Sequence, residues 1–286
     1  MNVLFIGSSG LLSLIPLTAL NKSKYKVCAI ATNEVSDSEI NAMQTGTLQA
    51  FSFENSIPLL NLNNTISSVS SQIEKHQPDV IFVSCYNKLI PQSILSLAKL
   101  GAFNLHPSLL PRFRGPTPLF WQFRDGISNF GITLHRINSK FDQGNIITYK
   151  IVNMDDGVNI LEATKLIANI GSQLILDFLG ELDENKLNEI YQDNNISSYQ
   201  SFPTVEDYRV DISWTAKRIY NFINAYKKSN IFFFCEIDGR EYKLVDSLSY
   251  QAKVYAEMDG NKYIVEDNII TFSCEDSYIK CKLKIN

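Results

Sequence analysis

A chain of 286 residues, 45% hydrophobic and 20% charged, has room for one large domain and a smaller one and has the make-up of an ordinary globular protein. Its net charge of −4 and pI near 5.5 exclude an overall field that would draw it to nucleic acid or to an anionic membrane. The five cysteines, Cys28, Cys85, Cys235, Cys274 and Cys281, show no CxxC spacing and no zinc pattern with His76, His106 and His135, so no metal is expected. Their odd number suggests a reducing compartment. The chain enters a strand directly, without a basic leader, and no uncharged run reaches membrane-spanning length; a cytoplasmic location is expected.

Residues 3–6 read as a strand, followed by Gly7-Ser8-Ser9-Gly10 and an apolar helix over 11–20. The turn lacks GxGxxG spacing, and no acidic residue ends the second strand, 25–31. It is therefore read as a tight turn packing helix on sheet rather than a dinucleotide site. Residues 32–64 are polar and irregular, with a short strand expected at 50–53, and 66–75 has helical spacing. The apolar run 79–85 reads as a strand buried on both faces of a parallel sheet, which would leave Cys85, like Cys28, a buried inert thiol. Tyr86-Asn87-Lys88-Leu89-Ile90-Pro91 leaves its carboxyl end, before a helix over 92–99.

A strand at 102–105 then delivers Asn104 and His106, two apart and so on one face, and Pro107 turns the chain out of the sheet. A proline-punctuated loop leads to a helix over 117–125, whose Phe120, Trp121 and Phe123 read as core. Strands at 130–137 and 146–152 flank the polar loop Asn138-Ser139-Lys140-Phe141-Asp142-Gln143-Gly144. His135, on the first of these, reads as a satisfied strand histidine. A helix follows over 159–179. The Asn-, Glu- and Ser-rich stretch 181–203 reads as a linker or extended arm. Beyond it come an amphipathic helix over 214–226, anchored by Trp214, and short strands punctuated at Asp238-Gly239, Asp259-Gly260 and Asp267-Asn268. This pattern suggests a small β-barrel-like domain. The expected division is 1–180, a linker at 181–203, and 204–286.

Alternating strands and helices predict an α/β domain with a parallel sheet, its ligands at the carboxyl ends of the strands. Loops 86–91, 106–116 and 138–144 should meet there and gather Asn104, His106 and Asp142. An Asn can donate to a developing oxyanion, a His near neutral pKa can take a proton from a nucleophile, and an Asp beside that His can orient it. No Ser or Cys nucleophile stands with them, which favours direct attack by the substrate on an acyl carbon.

The sequence Asn104-Leu105-His106-Pro107-Ser108-Leu109-Leu110-Pro111, then Arg114-Gly115, Gly131-Ile132-Thr133 and Asp142-Gln143-Gly144, resembles the family of formyltransferases that use 10-formyltetrahydrofolate. The resemblance is close through residues 80–150 and reaches the start of the chain. It extends more faintly to the Trp214 helix and following strands, which are similar to the small C-terminal domain of methionyl-tRNA formyltransferases and some amino-sugar formyltransferases. It implies a Rossmann-like, parallel-sheet formyltransferase domain followed by a small β-rich, OB-like domain. It also implies 10-formyltetrahydrofolate as cosubstrate, and Asn104, His106 and Asp142 as the catalytic set. The folate would lie against the main chain of Tyr86, Asn87, Lys88, Leu89 and Ile90, and of Ile137, Asn138, Ser139, Lys140 and Phe141. Gly10, Ser108, Arg112 and Arg114 are expected to face the acceptor, the two arginines holding a phosphate or standing as solvated loop charges.

The acceptor is read from charge. In methionyl-tRNA formyltransferases a basic insertion near the second strand and a basic C-terminal domain touch tRNA. Here residues 32–46 hold Glu34, Asp37 and Glu39 with no Lys or Arg, and residues 201–286 hold 12 Lys/Arg against 13 Asp/Glu. A tRNA surface needs clustered positive charge, so a small amine such as a nucleotide-linked amino sugar is favoured over tRNA. A formyltetrahydrofolate hydrolase, with water as acceptor, is a further alternative, but the additional N-terminal regulatory domain expected of that group is not seen. The second domain suits substrate binding or homodimer formation equally.

Overall fold

The computed structural model describes residues 1–35, 46–183, 187–227, 229, 231–251 and 262–284. Most of the acidic stretch 32–46, the Asp259-Gly260 turn and residues 184–186, near the start of the 181–203 stretch, lie outside the described residues. Contacts divide the chain into two compact units. The first is Met1–Pro118, Phe130–Val152 and Thr164–Gln200; the second is Leu119–Asn129, Asn153–Ala163 and Ser201–Asn286.

The first unit is built on strands β1 (Asn2–Gly7), β2 (Lys26–Thr32), β3 (Leu59–Asn61), β4 (Val80–Ser84), β5 (Gly101–His106), β6 (Asn129–Arg136) and β7 (Ile146–Asn153). They lie in the order β3-β2-β1-β4-β5-β6-β7. β1 to β5 are parallel, and β6 runs antiparallel to β5. The expected parallel sheet is thus a mixed one dominated by parallel pairs. Its strand order reverses between β1 and β4, the position where open α/β sheets leave a crevice at their carboxyl edge.

Both faces are covered, which is why the strands read as unbroken apolar runs. On one face Leu4, Ile6, Ile81 and Val83 join Val69 and Ile73 of helix α3 (Ile66–His76) and Ile94 and Leu95 of the short helix α4 (Gln92–Leu95). On the other, Phe82 and Phe103 meet Phe178 of the long helix Ile160–Asp183, with centroids 5.8 Å and 4.5 Å from the Phe178 ring. Each such fully buried side chain contributes roughly 1.5–3 kcal/mol relative to exposure.

Three local expectations are corrected. Residues 50–53 are helical, within α2 (Leu48–Glu54), because the Thr47 hydroxyl caps the Ala50 N–H and the apparent alternation leaves Phe53 in solvent. The sheet position goes instead to β3. The helix expected over 92–99 stops at Leu95. Cys85 is not a buried strand thiol: β4 ends at Ser84, and Cys85 is exposed with φ 57°.

The second unit holds an antiparallel sheet of β8 (Phe233–Ile237), β9 (Arg240–Gln251), β10 (Tyr263–Glu266), β11 (Ile269–Ser273) and β12 (Tyr278–Leu283), in the order β10-β11-β12-β9-β8. Two register shifts between β12 and β9 strengthen its curl. The amphipathic helix Ala216–Ala225 is capped by Thr215 and places Phe222 in the core, 4.9 Å from Phe233 and 5.5 Å from Phe120. Trp214 carries the Arg218 guanidinium 3.6 Å from its ring centroid.

Candidate active site

β5 puts its odd and even residues to different uses. Phe103 packs on Phe178, and Leu105 approaches Gly171 of the same long helix so closely that a Cβ there would lie 2.6 Å from the Leu105 methyl. Asn104 and His106 must then project from the other face. The antiparallel register with β6 sets Asn104 opposite His135 and His106 opposite Thr133. Directly paired residues share a face, so the sheet itself assembles Asn104, His106, His135 and Thr133.

Asp142 completes the cluster from the loop after β6. Its Oδ1 accepts from Asn104 Nδ2 at 3.3 Å and lies 3.5 Å from His106 Nδ1 and 3.6 Å from His135 Nε2. Its Oδ2 accepts from the Gly115 N–H at 2.8 Å. Both histidine tautomers follow from carbonyl partners, which can only accept. His106 Nε2–H donates to Phe113 O, and His135 Nδ1–H donates to Arg136 O, each at 2.8 Å. His135 Nε2 is therefore free to accept from Asn104 Nδ2, 3.0 Å away. The neutral His106 presents its Nδ1 lone pair toward Asp142.

Burial pushes the His106 imidazole below its ordinary value, against the pull of the Asp142 carboxylate and the Phe113 carbonyl. Burial also pushes the Asp142 carboxyl up, but His106, His135 and the Gly115 N–H outweigh it and hold the group well below the usual carboxylate range. At neutral pH the site is thus an ionised carboxylate beside an unprotonated imidazole. Phe113 and Asp142 both carry left-handed backbone, φ 58° and 53°. Such residues cost on the order of 1 kcal/mol or more and persist where their surroundings hold them.

Asn104, His106 and Asp142, singled out in the sequence, are brought together. His135 is satisfied, as read, but also belongs to the cluster. What could have signalled it is its parity with Thr133 on a strand paired to β5. The loops after β1 and β4 meet at the carboxyl edge of the sheet, where the Ser8 N–H donates to Cys85 O at 3.2 Å. Tyr86, Ile90 and Ile137 rest half-buried on the same apolar cluster, while Asn87, Lys88, Leu89, Asn138, Ser139, Lys140 and Phe141 are exposed around them.

Gly10 sits at the start of the first helix, Leu11–Asn21, with nothing within 4 Å of where a Cβ would be. Of the expected acceptor side chains, Arg112 is exposed. Ser108 is fully buried and donates to Arg112 O at 2.8 Å, inside its own loop. Arg114 is neither a solvated charge nor open to a phosphate: it is buried and bonded to Gln192 and Asn194. Among the described residues no group of His, Cys, Asp and Glu could hold a metal ion, and no helix is long and apolar enough to cross a membrane.

These features match known proteins in sequence and in fold. Residues 1–178 match the family described as formyl transferase, and residues 204–284 match the formyl transferase C-terminal domain. A bifunctional polymyxin resistance protein ArnA from Wigglesworthia glossinidia brevipalpis is 31% identical over 75% of this chain and 33% of its own length. A methionyl-tRNA formyltransferase from Ehrlichia ruminantium is 31% identical over 63% of this chain and 57% of its own. The chain thus spans between a third and somewhat over half of these relatives. In fold, it resembles the sugar 3N-formyltransferase WlaRD, solved in the presence of dTDP and 5-N-formyl-THF (TM-score 0.71, 18% identity, 100% of this chain and 98% of that one). An N-formyltransferase from Helicobacter canadensis, complexed with folinic acid and dTDP-3-aminofucose, superimposes equally well (TM-score 0.71, 18% identity, 99% of each chain). With the family pattern covering well over half of its residues, the chain belongs to the formyl transferase family.

Proposed function

We propose that the protein transfers the formyl group of 10-formyltetrahydrofolate to the primary amine of a nucleotide-linked amino sugar, within a cytoplasmic setting. The observation that carries the reaction is the partly buried cluster in which an ionised Asp142 lies 3.3 Å from Asn104 Nδ2 and 3.5 Å from Nδ1 of an unprotonated His106. The amine nitrogen attacks the formyl carbon on N10, and charge develops on the formyl oxygen. In the resting site the Asn104 amide hydrogens lie on His135 and, by the longer contact of 3.3 Å, on Asp142. The latter is the one an oxyanion takes over. His106 Nδ1 accepts the proton of the attacking nitrogen, and Asp142 stabilises the imidazolium. The same proton passes to N10 as its bond to carbon breaks, leaving the formamide and tetrahydrofolate. The half-buried floor of Tyr86, Ile90 and Ile137, with the exposed Asn87, Lys88, Leu89 and 138–141 around it, suits a flat cosubstrate held mainly by main chain.

For the acceptor, the amino-sugar reading is supported by the lack of basic residues in 32–46, by the near-neutral balance of 201–286, and by end-to-end likeness to two sugar enzymes. Formylation of methionyl-tRNA is the second reading, favoured by the sequence relatives. The test offers 10-formyltetrahydrofolate with a panel of nucleotide-linked 3- and 4-amino sugars and with charged initiator tRNA, and reads products by mass. Formylated amino sugar is the expected product; salt-sensitive binding and formylation of the tRNA alone would reverse the ranking.

The mechanism also fixes a pH response. His106 acts as its free base, and burial holds its pKa below the ordinary value, so its own contribution to the profile of kcat is an acid limb that appears only as pH drops through that lowered value. Asp142→Asn removes the charge that raises it. The acid limb is then expected to move to still lower pH, with a reduced plateau. A pH–rate profile whose limb stays put or moves upward would count against this assignment.

A further inference from the structure

The stretch after the long helix, 189–200, belongs to the first unit and runs along both loops of the site. It makes an antiparallel bridge from Ile190 to Ile146, through two main-chain hydrogen bonds of 2.8 Å, and a parallel bridge from Tyr199 to Arg114. Arg114 N donates to Ser198 O and Gln200 N to Arg114 O, at 3.0 and 2.9 Å. The Phe113 N–H donates to the Ser198 hydroxyl at 2.8 Å.

Between the two bridges sits Gln192. Its Nε2 donates to Asp142 O and Gly144 O, at 2.8 and 2.6 Å. Its Oε1 accepts from Arg114 Nε and Nη2, at 3.1 and 2.7 Å. Arg114 is thereby fixed beside Phe113, whose carbonyl holds His106, and Gly115, whose N–H holds Asp142. One side chain therefore ties the loop that orients the imidazole to the loop that carries the carboxylate. The bulky side chains of the stretch, Ile190, Tyr191, Ile196 and Tyr199, are exposed. Hydrogen bonds rather than apolar burial hold it in place.

We propose that Gln192 is a positioning residue for the reaction, acting as a two-donor, one-acceptor staple that sets Asp142 against His106. Only a carboxamide offers both halves on one planar group: a Glu carboxylate accepts from Arg114 but faces the carbonyls of Asp142 and Gly144 with no hydrogen to give. The inference rests on the proposed reaction for its kinetic consequence, but not for its structural one.

The test uses Gln192→Leu, which removes both halves, and Gln192→Glu, which keeps the size and the Arg114 pairing. In each, turnover is expected to fall roughly ten- to a hundredfold, the scale of an ångström-sized misplacement of reacting groups. Independently of donor and acceptor, the His106 imidazole is titrated by NMR on the protein alone. The charged groups that face it are Asp142 and Arg114, and the other titratable side chain is His135. With Asp142 no longer held, the His106 pKa in Gln192→Leu is expected to fall further below its wild-type value. If Gln192→Leu fails to fold, Gln192→Glu decides by its turnover at unchanged melting temperature. Folded variants with wild-type turnover and an unmoved His106 titration would overturn the proposal. A wild type that transfers formyl to none of the acceptors, but whose His106 titration still shifts in Gln192→Leu, would overturn the reaction and leave the staple standing.

Discussion

His106→Ala is expected to remove formyl transfer, by roughly a thousandfold or more, while the formyl donor still binds. Losing a positioned general base costs on the order of 10²–10⁴ in rate, and here the same change also strips Asp142 of the partner it stabilises in the charged state. Donor affinity should hold, because the loops assigned to the folate are anchored elsewhere, through Tyr86, Ile90 and Ile137 on the apolar cluster. The substitution also leaves the Phe113 carbonyl without its donor, a burden of about 1–3 kcal/mol. A fall in melting temperature must therefore be separated from the loss of chemistry. His106→Gln makes the separation, since its amide can still donate a hydrogen bond but cannot act as a base. Turnover within a few-fold of wild type in a folded His106→Gln protein would remove His106 from the mechanism.

Gly144→Ala is the second large effect, and it acts through backbone alone. A Cβ on Gly144 would collide with the carbonyl of Arg136. The obstacle is main chain in β6, pinned by the hydrogen bond from Arg136 N to Asn145 O at 2.8 Å, so nothing flexible can yield. The loop must move instead, and with it Asp142 two residues away and the carbonyl that Gln192 holds. A displacement near 1 Å is expected to cost about a hundredfold in kcat. The sheet core, remote from the loop, should keep its cooperative melting. Kinetics beside a thermal melt would test this; a folded variant with nearly wild-type kcat would mean that the loop geometry is not demanding.

Much of this site was legible in the sequence because it is local. Asn104 and His106 differ by two, Phe103 and Leu105 take the buried face between them, and Pro107 marks the exit from the sheet. Asp142 is legible from its polar loop, which should meet theirs at the carboxyl edge, and from the Asp142-Gln143-Gly144 motif. His135 shows in the sequence only as a strand residue, because its partnership with Asn104 depends on an antiparallel register between β5 and β6 that no local pattern encodes. Gln192 lies still further out of reach: its partners are 48 to 78 residues away, and polar composition makes its neighbourhood look like a spacer. At 50–53 local pattern and structure part the other way. A short local alternation suggested a strand, and the Thr47 cap decided for helix.

The stretch that carries Gln192 falls between the two family matches, which end at residue 178 and resume at 204. The bonds of its Gln192, Ser198 and Gln200 nonetheless lead back into the loops of the site. This sets a rule for recombining such enzymes. A chimera joined at the end of the long helix would take residues 189–200 from the wrong parent and present mismatched side chains to Arg114 and Asp142. A crossover placed after Gln200 would exchange only residues 201–286 of the second unit and carry Asn104, His106, Asp142 and Gln192 across together.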